Sequence, residues 1–190
     1  MTKVAVLVAP GFEEGETLTI VDILRRASIE CDMIGLSEEV TGGHDITVRC
    51  DKVLYPTLAE DYEMVVLPGG YEGAVNLRDS EQVIAILKEM QHTDKYIAAM
   101  CAAPIVLERA DLLENKNYTA YVDYDKKIAS GHYKEDIVVV DGKLITSRGP
   151  ATAYAFSYAL VDILGGDSAA VKARMVYFNA FDHKGDKVYA

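Results

Sequence analysis

Short apolar runs alternating with stretches of helical spacing predict an α/β protein, with a mainly parallel sheet covered by helices on both faces. Residues 4–9, Met64–Leu67 and Tyr96–Met100 are near-continuous apolar segments rather than alternating ones, as expected of strands buried on both sides. Each leads through turn-forming or small residues into a helix-like pattern, which is the βα order of a parallel sheet.

In chain order, the first run ends at Pro10-Gly11. From Glu16 onward Leu18, Val21, Ile23 and Leu24 sit at helical spacing, with Arg25 and Arg26 in the last turn, where cations suit the helix dipole. Residues 31–36 read as a second strand and residues 46–54 as one or two edge strands. Met64–Leu67 is stopped by Pro68-Gly69-Gly70, and Ser80 is a good N-cap for a helix carrying Val83, Ile84, Ile86, Leu87 and Met90. Tyr96–Met100 runs into Cys101 and then a helix containing Ile105, Val106 and Leu107. Residues 137–140 and Leu144–Ser147, joined at Asp141-Gly142, read as a hairpin. Residues 151–164 form a further helix closed by Gly165-Gly166, and Asp167 caps a last one. No linker and no internal repeat breaks the pattern, so residues 1–190 are expected to form a single domain.

The chain has 190 residues, half of them apolar, and a net charge of −11. So acidic a surface repels phosphate backbones and anionic lipid, which argues against nucleic acid or membrane partners. The N-terminal apolar run has only about half the length that a membrane span needs. The three cysteines, Cys31, Cys50 and Cys101, form neither a disulfide framework nor a zinc ladder. A reducing, cytoplasmic location is expected.

Folds of this class place their sites at the carboxyl ends of the strands. Three strand ends carry suitable chemistry. Cys101 lies in Ala98-Ala99-Met100-Cys101-Ala102-Ala103-Pro104, where a tight strand-to-helix elbow needs small neighbours and accepts Pro in the first helical turn. Free N–H groups and the dipole at that helix start favour a thiolate, although a free cysteine there is as readily an inert core residue. Gly69-Gly70 offers backbone N–H groups to an oxyanion, with an ordinary turn as the plainer reading. Glu13, Glu14 and Glu16 open the first helix, and spacing does not choose which of them, if any, is a buried proton donor near Cys101. Cys31 and Cys50 read as packing residues. His44, His92, His132 and His183 lack metal-ligand spacing, so no metal and no cofactor is expected.

Four segments occur in order: Pro10-Gly11-Phe12-Glu13-Glu14-Gly15-Glu16, Leu67-Pro68-Gly69-Gly70, the Cys101 segment, and Thr146-Ser147-Arg148-Gly149-Pro150-Ala151-Thr152. Together they resemble the ThiJ/PfpI superfamily, in its DJ-one branch, over nearly the whole chain. The resemblance implies a flavodoxin-like three-layer sandwich, of the class I glutamine amidotransferase-like kind, and a homodimer. It implies that Cys101 is a reactive nucleophile hydrogen-bonded to a protonated Glu16, and that the N–H groups of Gly70 and Ala102 line the site. Arg25 and Arg26 match a pair that relatives place near the dimer interface. Two positions depart from the pattern. Tyr121 stands where relatives often have a histidine, and a neutral phenol is no base near pH 7. Cys50 falls where some relatives have an interface arginine. Ala102, in place of a histidine after the nucleophile, sets the peptidases of the superfamily aside. The missing Gly-flanked cysteine and late His-x-Glu pair set the amidotransferases aside.

The activity implied is a cofactor-free glyoxalase or deglycase acting on a small reactive carbonyl such as methylglyoxal, with carbonyl-stress protection as its role. The alternative is a non-enzymatic redox sensor or stress chaperone built on an oxidisable Cys101. A thiamin-related role has no support, because no phosphate-cradling loop or dinucleotide fingerprint is present.

Overall fold

A computed structural model of the chain describes residues 2–177. His183 lies outside the described residues. The elements run β1 (Lys3–Val8), α1 (Glu14–Arg26), β2 (Glu30–Gly35), β3 (Glu39–Thr41), β4 (Thr47–Arg49), β5 (Lys52–Val53), α2 (Leu58–Asp61), β6 (Met64–Leu67), α3 (Tyr71–Arg78) and α4 (Glu81–His92). They continue as β7 (Tyr96–Met100), α5 (Pro104–Arg109), β8 (Asn117–Tyr118), β9 (His132–Tyr133), β10 (Val138–Asp141), β11 (Leu144–Ser147), α6 (Ala153–Ile163) and α7 (Ser168–Arg174).

Seven strands make the central sheet, in the order β10-β11-β7-β6-β1-β2-β5. All neighbours are parallel except β10, which returns antiparallel beside β11 as the Asp141-Gly142 hairpin requires. The central strands β1, β6 and β7 are buried along almost their whole length, which is why they lack alternation. Helices α1 and α6 pack together, and α3, α4 and α5 form a second group, so the sheet is flanked on both faces. The mixed α/β class and its mainly parallel sheet stand as the sequence predicts.

The chain enters at β1 in the middle of the sheet, builds outward through β2 to β5, then returns to β6 on the other side of β1. The strand order therefore reverses between β1 and β6, the place where open α/β sheets bind ligands. The capping residues behave as read: the Ser80 hydroxyl accepts the Val83 N–H at 3.4 Å, and the Asp167 carboxylate accepts the Ala170 N–H at 2.9 Å.

Three details differ from the sequence reading. Leu18 is 40 % exposed, because the buried face of α1 is Glu14, Glu16, Thr17, Ile20, Val21, Ile23 and Leu24. Polar residues take core positions there, and hydrophobic spacing is blind to that. Residues 39–41 pair with β4 in a separate two-stranded hairpin, too short for periodicity to reveal. Helix α3 starts directly after Gly70 and contains Gly73, which obscures its pattern.

Phe156 of α6 is fully buried in the main core. Phe156→Ala is expected to lower unfolding free energy by about 3–5 kcal/mol, whereas Leu18→Ala stays within about 0.5 kcal/mol. Urea unfolding of the two variants checks both.

Candidate active site

The turns after β1 and β6 are stitched together: the Glu13 N–H donates to Gly69 O at 3.0 Å and the Gly73 N–H to Gly11 O at 3.1 Å. Gly70 has φ +91°, and a side chain there would strike the backbone of Gly11 and Phe12. Next to these turns β7 runs into Cys101, since Val66 lies opposite Ala98 and Leu67 opposite Ala99.

Cys101 has φ 60°, left-handed backbone in a residue that is not glycine. Such a conformation costs about 1–3 kcal/mol and persists where its surroundings enforce it. Here the Cys101 N–H donates to Ser147 O at 3.0 Å, and its carbonyl accepts the Tyr121 N–H at 2.8 Å. The elbow read from the small residues around Cys101 is present. The residue is 8 % exposed, so it sits at the floor of the site.

Glu16 is fully buried in the first turn of α1. Its Oε2 accepts the Gly69 N–H at 2.7 Å. Its Oε1 is buried with no hydrogen-bond partner, while the carboxyl as a whole and the Cys101 thiol shift each other's titration. Gly69 makes that approach possible. A Cβ there would lie 2.5 Å from the Cys101 Cβ, 2.8 Å from Glu16 Oε2 and 3.0 Å from Sγ.

Burial pushes the Glu16 carboxyl up to about 7, against the pull of the Gly69 N–H. Burial, and next the charge of Glu16, push the Cys101 thiol up, while the N–H groups of Gly70 and Ala102 pull it down. This corrects the expectation of a thiolate produced by the helix start alone: desolvation outweighs the local N–H groups, and a charge on Glu16 adds to it. The two acids titrate as one unit. A buried carboxyl with only one oxygen accepting, from the Gly69 N–H, is better satisfied when it carries a proton it can donate to the sulfur beside it. In that state the thiolate loses its repelling neighbour and keeps both N–H donors.

Of the three glutamates left open by spacing, only Glu16 reaches the cysteine. Glu14 is buried but turned away: its Oε1 accepts the N–H groups of His44 at 2.7 Å and Ile46 at 3.4 Å, and its Oε2 lies 2.9 Å from His44 Nδ1. Burial acts to raise its pKa, but the His44 ring and these N–H groups hold it below the usual carboxylate range. Glu13, Glu14 and His44 bring ligand-type atoms within 4.8 Å of one another, a grouping that sequence spacing hid. With Glu14 used up by the 42–46 turn, the group reads as a clamp for that turn. Cys31 and Cys50 are buried packing residues, as expected, and burial pushes the Cys31 thiol up to about 12. Arg25 holds the Cys31 carbonyl through Nε at 3.0 Å and Nη2 at 2.9 Å, and pairs with Asp51 at 2.6 Å.

Tyr121 is 46 % exposed. Tyr124, which sequence reading passed over, is the buried ring at this spot, packed edge-on against Tyr121 with centroids 6.2 Å apart. No periodicity marks it, because it lies in a single 3-10 turn between short strands.

Fold and site together define a class: a parallel α/β sandwich with a cysteine elbow at the strand ends and a buried carboxyl against it. The chain belongs to the DJ-1/PfpI family, whose profile matches residues 2–163. It is 37% identical over 171 residues to protein dj-1beta of Drosophila melanogaster, covering 87% of this chain and 91% of that one. The crystal structure of Drosophila DJ-1beta superposes with a TM-score of 0.88 at 36% identity, covering 93% of this chain and 98% of that chain. The Parkinson disease protein 7 homolog of Danio rerio is 36% identical over 182 residues, 92% of this chain and 96% of its own length. Oxidized DJ-1 of Toxoplasma gondii gives a TM-score of 0.86 at 32% identity, over 93% of this chain and 98% of that chain.

The raised Glu16 carboxyl has a stability consequence. An unfolded glutamate ionises near 4.5 and the folded one near 7. The folded state therefore binds the extra proton between those values, and stability falls as pH rises through that window. Wild type is expected to lose about 3 kcal/mol relative to Glu16→Gln between pH 4.5 and 7. Parallel urea titrations across that range measure it, and parallel stability profiles would refute it.

Proposed function

We propose that the chain is a cofactor-free glyoxalase or deglycase for reactive dicarbonyls such as methylglyoxal, with Cys101 as nucleophile and Glu16 as proton shuttle. The observation that carries the reading is the buried Glu16 carboxyl, one oxygen of it unpartnered, meeting the elbow cysteine over Gly69. The thiolate adds to the aldehyde carbon, forming the C–S bond, and the alkoxide takes the Glu16 proton. Glu16, now a carboxylate, removes the hydrogen from that carbon to give an enediol and returns it to the neighbouring carbon, while the hydroxyl proton passes from the first oxygen to the second, which turns the hemithioacetal into a thioester of the hydroxy acid. Water cleaves the C–S bond, releasing lactate and the thiol. No electron leaves the system, so no cofactor is required. The N–H groups of Gly70 and Ala102 face the sulfur and are suited to hold the developing oxyanion. Release of early adducts from proteins enters the same route once the aminocarbinol expels its amine, the C–N bond breaking to regenerate the aldehyde that the thiolate then adds to.

A second reading, a redox sensor or stress chaperone, is favoured by the similarity to a Toxoplasma gondii DJ-1 solved in oxidized form. A protonated Glu16 would donate to a Cys101 sulfinate as readily as to a thiolate. The family resemblance further supports a homodimer with the Arg25–Arg26 end of α1 near its interface, working in the cytoplasm as one 190-residue domain. Among the described residues no helix is long and apolar enough to cross a membrane.

Cys101→Ser is expected to abolish conversion of methylglyoxal to lactate, and retained wild-type turnover would end the glyoxalase reading. The protonated-Glu16 state is tested by the pH profile of Cys101 alkylation with iodoacetamide. Wild type is expected to have a midpoint below about 8.5. Glu16→Leu should raise it by about one unit or more, and Glu16→Gln, which keeps a neutral donor, should restore most of the difference. If the resting charge were on Glu16, both variants would lower the midpoint. For the sensor reading, mild peroxide should add two oxygens to Cys101 well before Cys31, as read by mass spectrometry.

A further inference from the structure

The chain carries, against the helix starts that follow Gly70 and Cys101, a cavity of about 390 Å³ that the chemistry above does not use. Its apolar wall is Tyr71, Val75, Ile105 and Tyr124. Two of these follow directly from the site's own turns, Tyr71 after Gly70 and Ile105 one turn beyond Cys101. Tyr124 is only 7 % exposed as a residue, but its hydroxyl is not a buried atom and forms no hydrogen bond among the described residues, so it has a donor to offer at the cavity. Its backbone links it to the elbow: the Tyr124 N–H donates to Tyr121 O at 3.0 Å, and the Tyr121 N–H donates to Cys101 O at 2.8 Å. Burial, and then the charge at Cys101, push the Tyr124 phenol up, which keeps it a protonated donor.

The charges around the cavity are unequal. Arg78 pairs with Asp79 at 2.7 Å and Arg109 with Glu81 at 2.9 Å. The Glu108 carboxylate is taken up by the Ala129 N–H at 3.0 Å, the Ser130 N–H at 3.3 Å and the Ser130 hydroxyl. Lys127 has no carboxylate partner among the described residues, in a chain whose net charge is −11. Its Nζ is held between two rings, 4.0 Å from the centroid of Tyr124 and 5.3 Å from that of Tyr71. Ring faces hold the ammonium in place without neutralising it.

We propose that this cavity is a subsite for the anionic tail of the substrate, with Lys127 meeting a carboxylate and the Tyr124 hydroxyl donating to it, so that the chain prefers carbonyl compounds bearing a carboxylate over neutral ones. As a statement about turnover this rests on the glyoxalase reading; as a statement about binding at the cavity it does not. Lys127 and Tyr124 determine specificity here and take no part in the bond-making steps.

Two assays separate the readings. In the first, turnover of dioxovalerate, an α-keto aldehyde with a carboxylate tail, is compared with that of methylglyoxal. Wild type should favour dioxovalerate in kcat/KM. Lys127→Met should cut that preference about tenfold and Tyr124→Phe about fivefold, with Lys127→Arg close to wild type. In the second, Cys101 is titrated with dithiobis(nitrobenzoate), an aromatic dianion, and with neutral dithiodipyridine, using Cys101→Ser as the blank. Lys127 is exposed, so its replacement leaves the fold intact, and the anionic-to-neutral rate ratio should fall about tenfold in Lys127→Met. A ratio within twofold of wild type in this second assay overturns the subsite, whatever the turnover result. No turnover of either aldehyde, combined with a fallen ratio, overturns the glyoxalase reading and leaves the subsite standing.

Discussion

The site depends on two acids being pressed together in a space that only glycine leaves open. Glu16 and Cys101 come from elements 85 positions apart in the chain, and the missing side chain of Gly69 is what lets them meet. Neither group can be placed there at full charge, because burial pushes both pKa values up. What makes the pair tolerable is that one negative charge and one proton can be shared between them, with Gly69 satisfying one carboxyl oxygen and Gly70 and Ala102 the sulfur. An inert core cysteine would need none of this arrangement.

The rest of the fold serves to hold that pair. Strand order reverses between β1 and β6, and the turns after these strands are tied to each other by the Glu13–Gly69 and Gly73–Gly11 backbone hydrogen bonds, which fixes the place where the pair meets. The left-handed backbone of Cys101 is unfavourable in isolation, and it is enforced by β11 through the Ser147 carbonyl and by the Tyr121 N–H. Glu14 does similar work on the other side. It ties the 42–46 turn to the start of α1, and so fixes the helical turn from which Glu16 projects.

The sheet was legible in the sequence because strands buried on both faces must be continuously apolar, and β1, β6 and β7 are. The hairpin of β10 and β11 and the caps at Ser80 and Asp167 were legible because their turn chemistry is local. Leu18 misled because α1 buries Glu14, Glu16 and Thr17, placing polar side chains where spacing expects leucine. The elbow at Cys101 could be read from its small neighbours, and the resemblance singled out Glu16, but the choice among Glu13, Glu14 and Glu16 is made by rotation about the axis of α1, which spacing does not settle. The ionisation of the pair was not legible at all. Dipole and N–H groups can be counted along the chain, whereas desolvation and a facing charge exist only after folding. Tyr124 escaped for the same reason: a tyrosine in an irregular turn shows nothing of the cleft it enters.

The absence of a histidine at Tyr121 narrows the chemistry the site can run. Tyr121 is half exposed, and a phenol stays protonated near neutral pH, so it can donate a hydrogen bond but cannot accept a proton from carbon. Among the groups that touch the sulfur, Glu16 alone has a pKa near 7. A group poised there gives and takes a proton with nearly equal ease, which suits a transfer that starts and ends on adjacent carbons of one substrate. Peptide cleavage asks for a second base beside the nucleophile, and none of these groups supplies one. On the proposed route the thioester is cleaved by water with Glu16 as the only base, so one carboxyl has to serve both the proton return and the final hydrolysis.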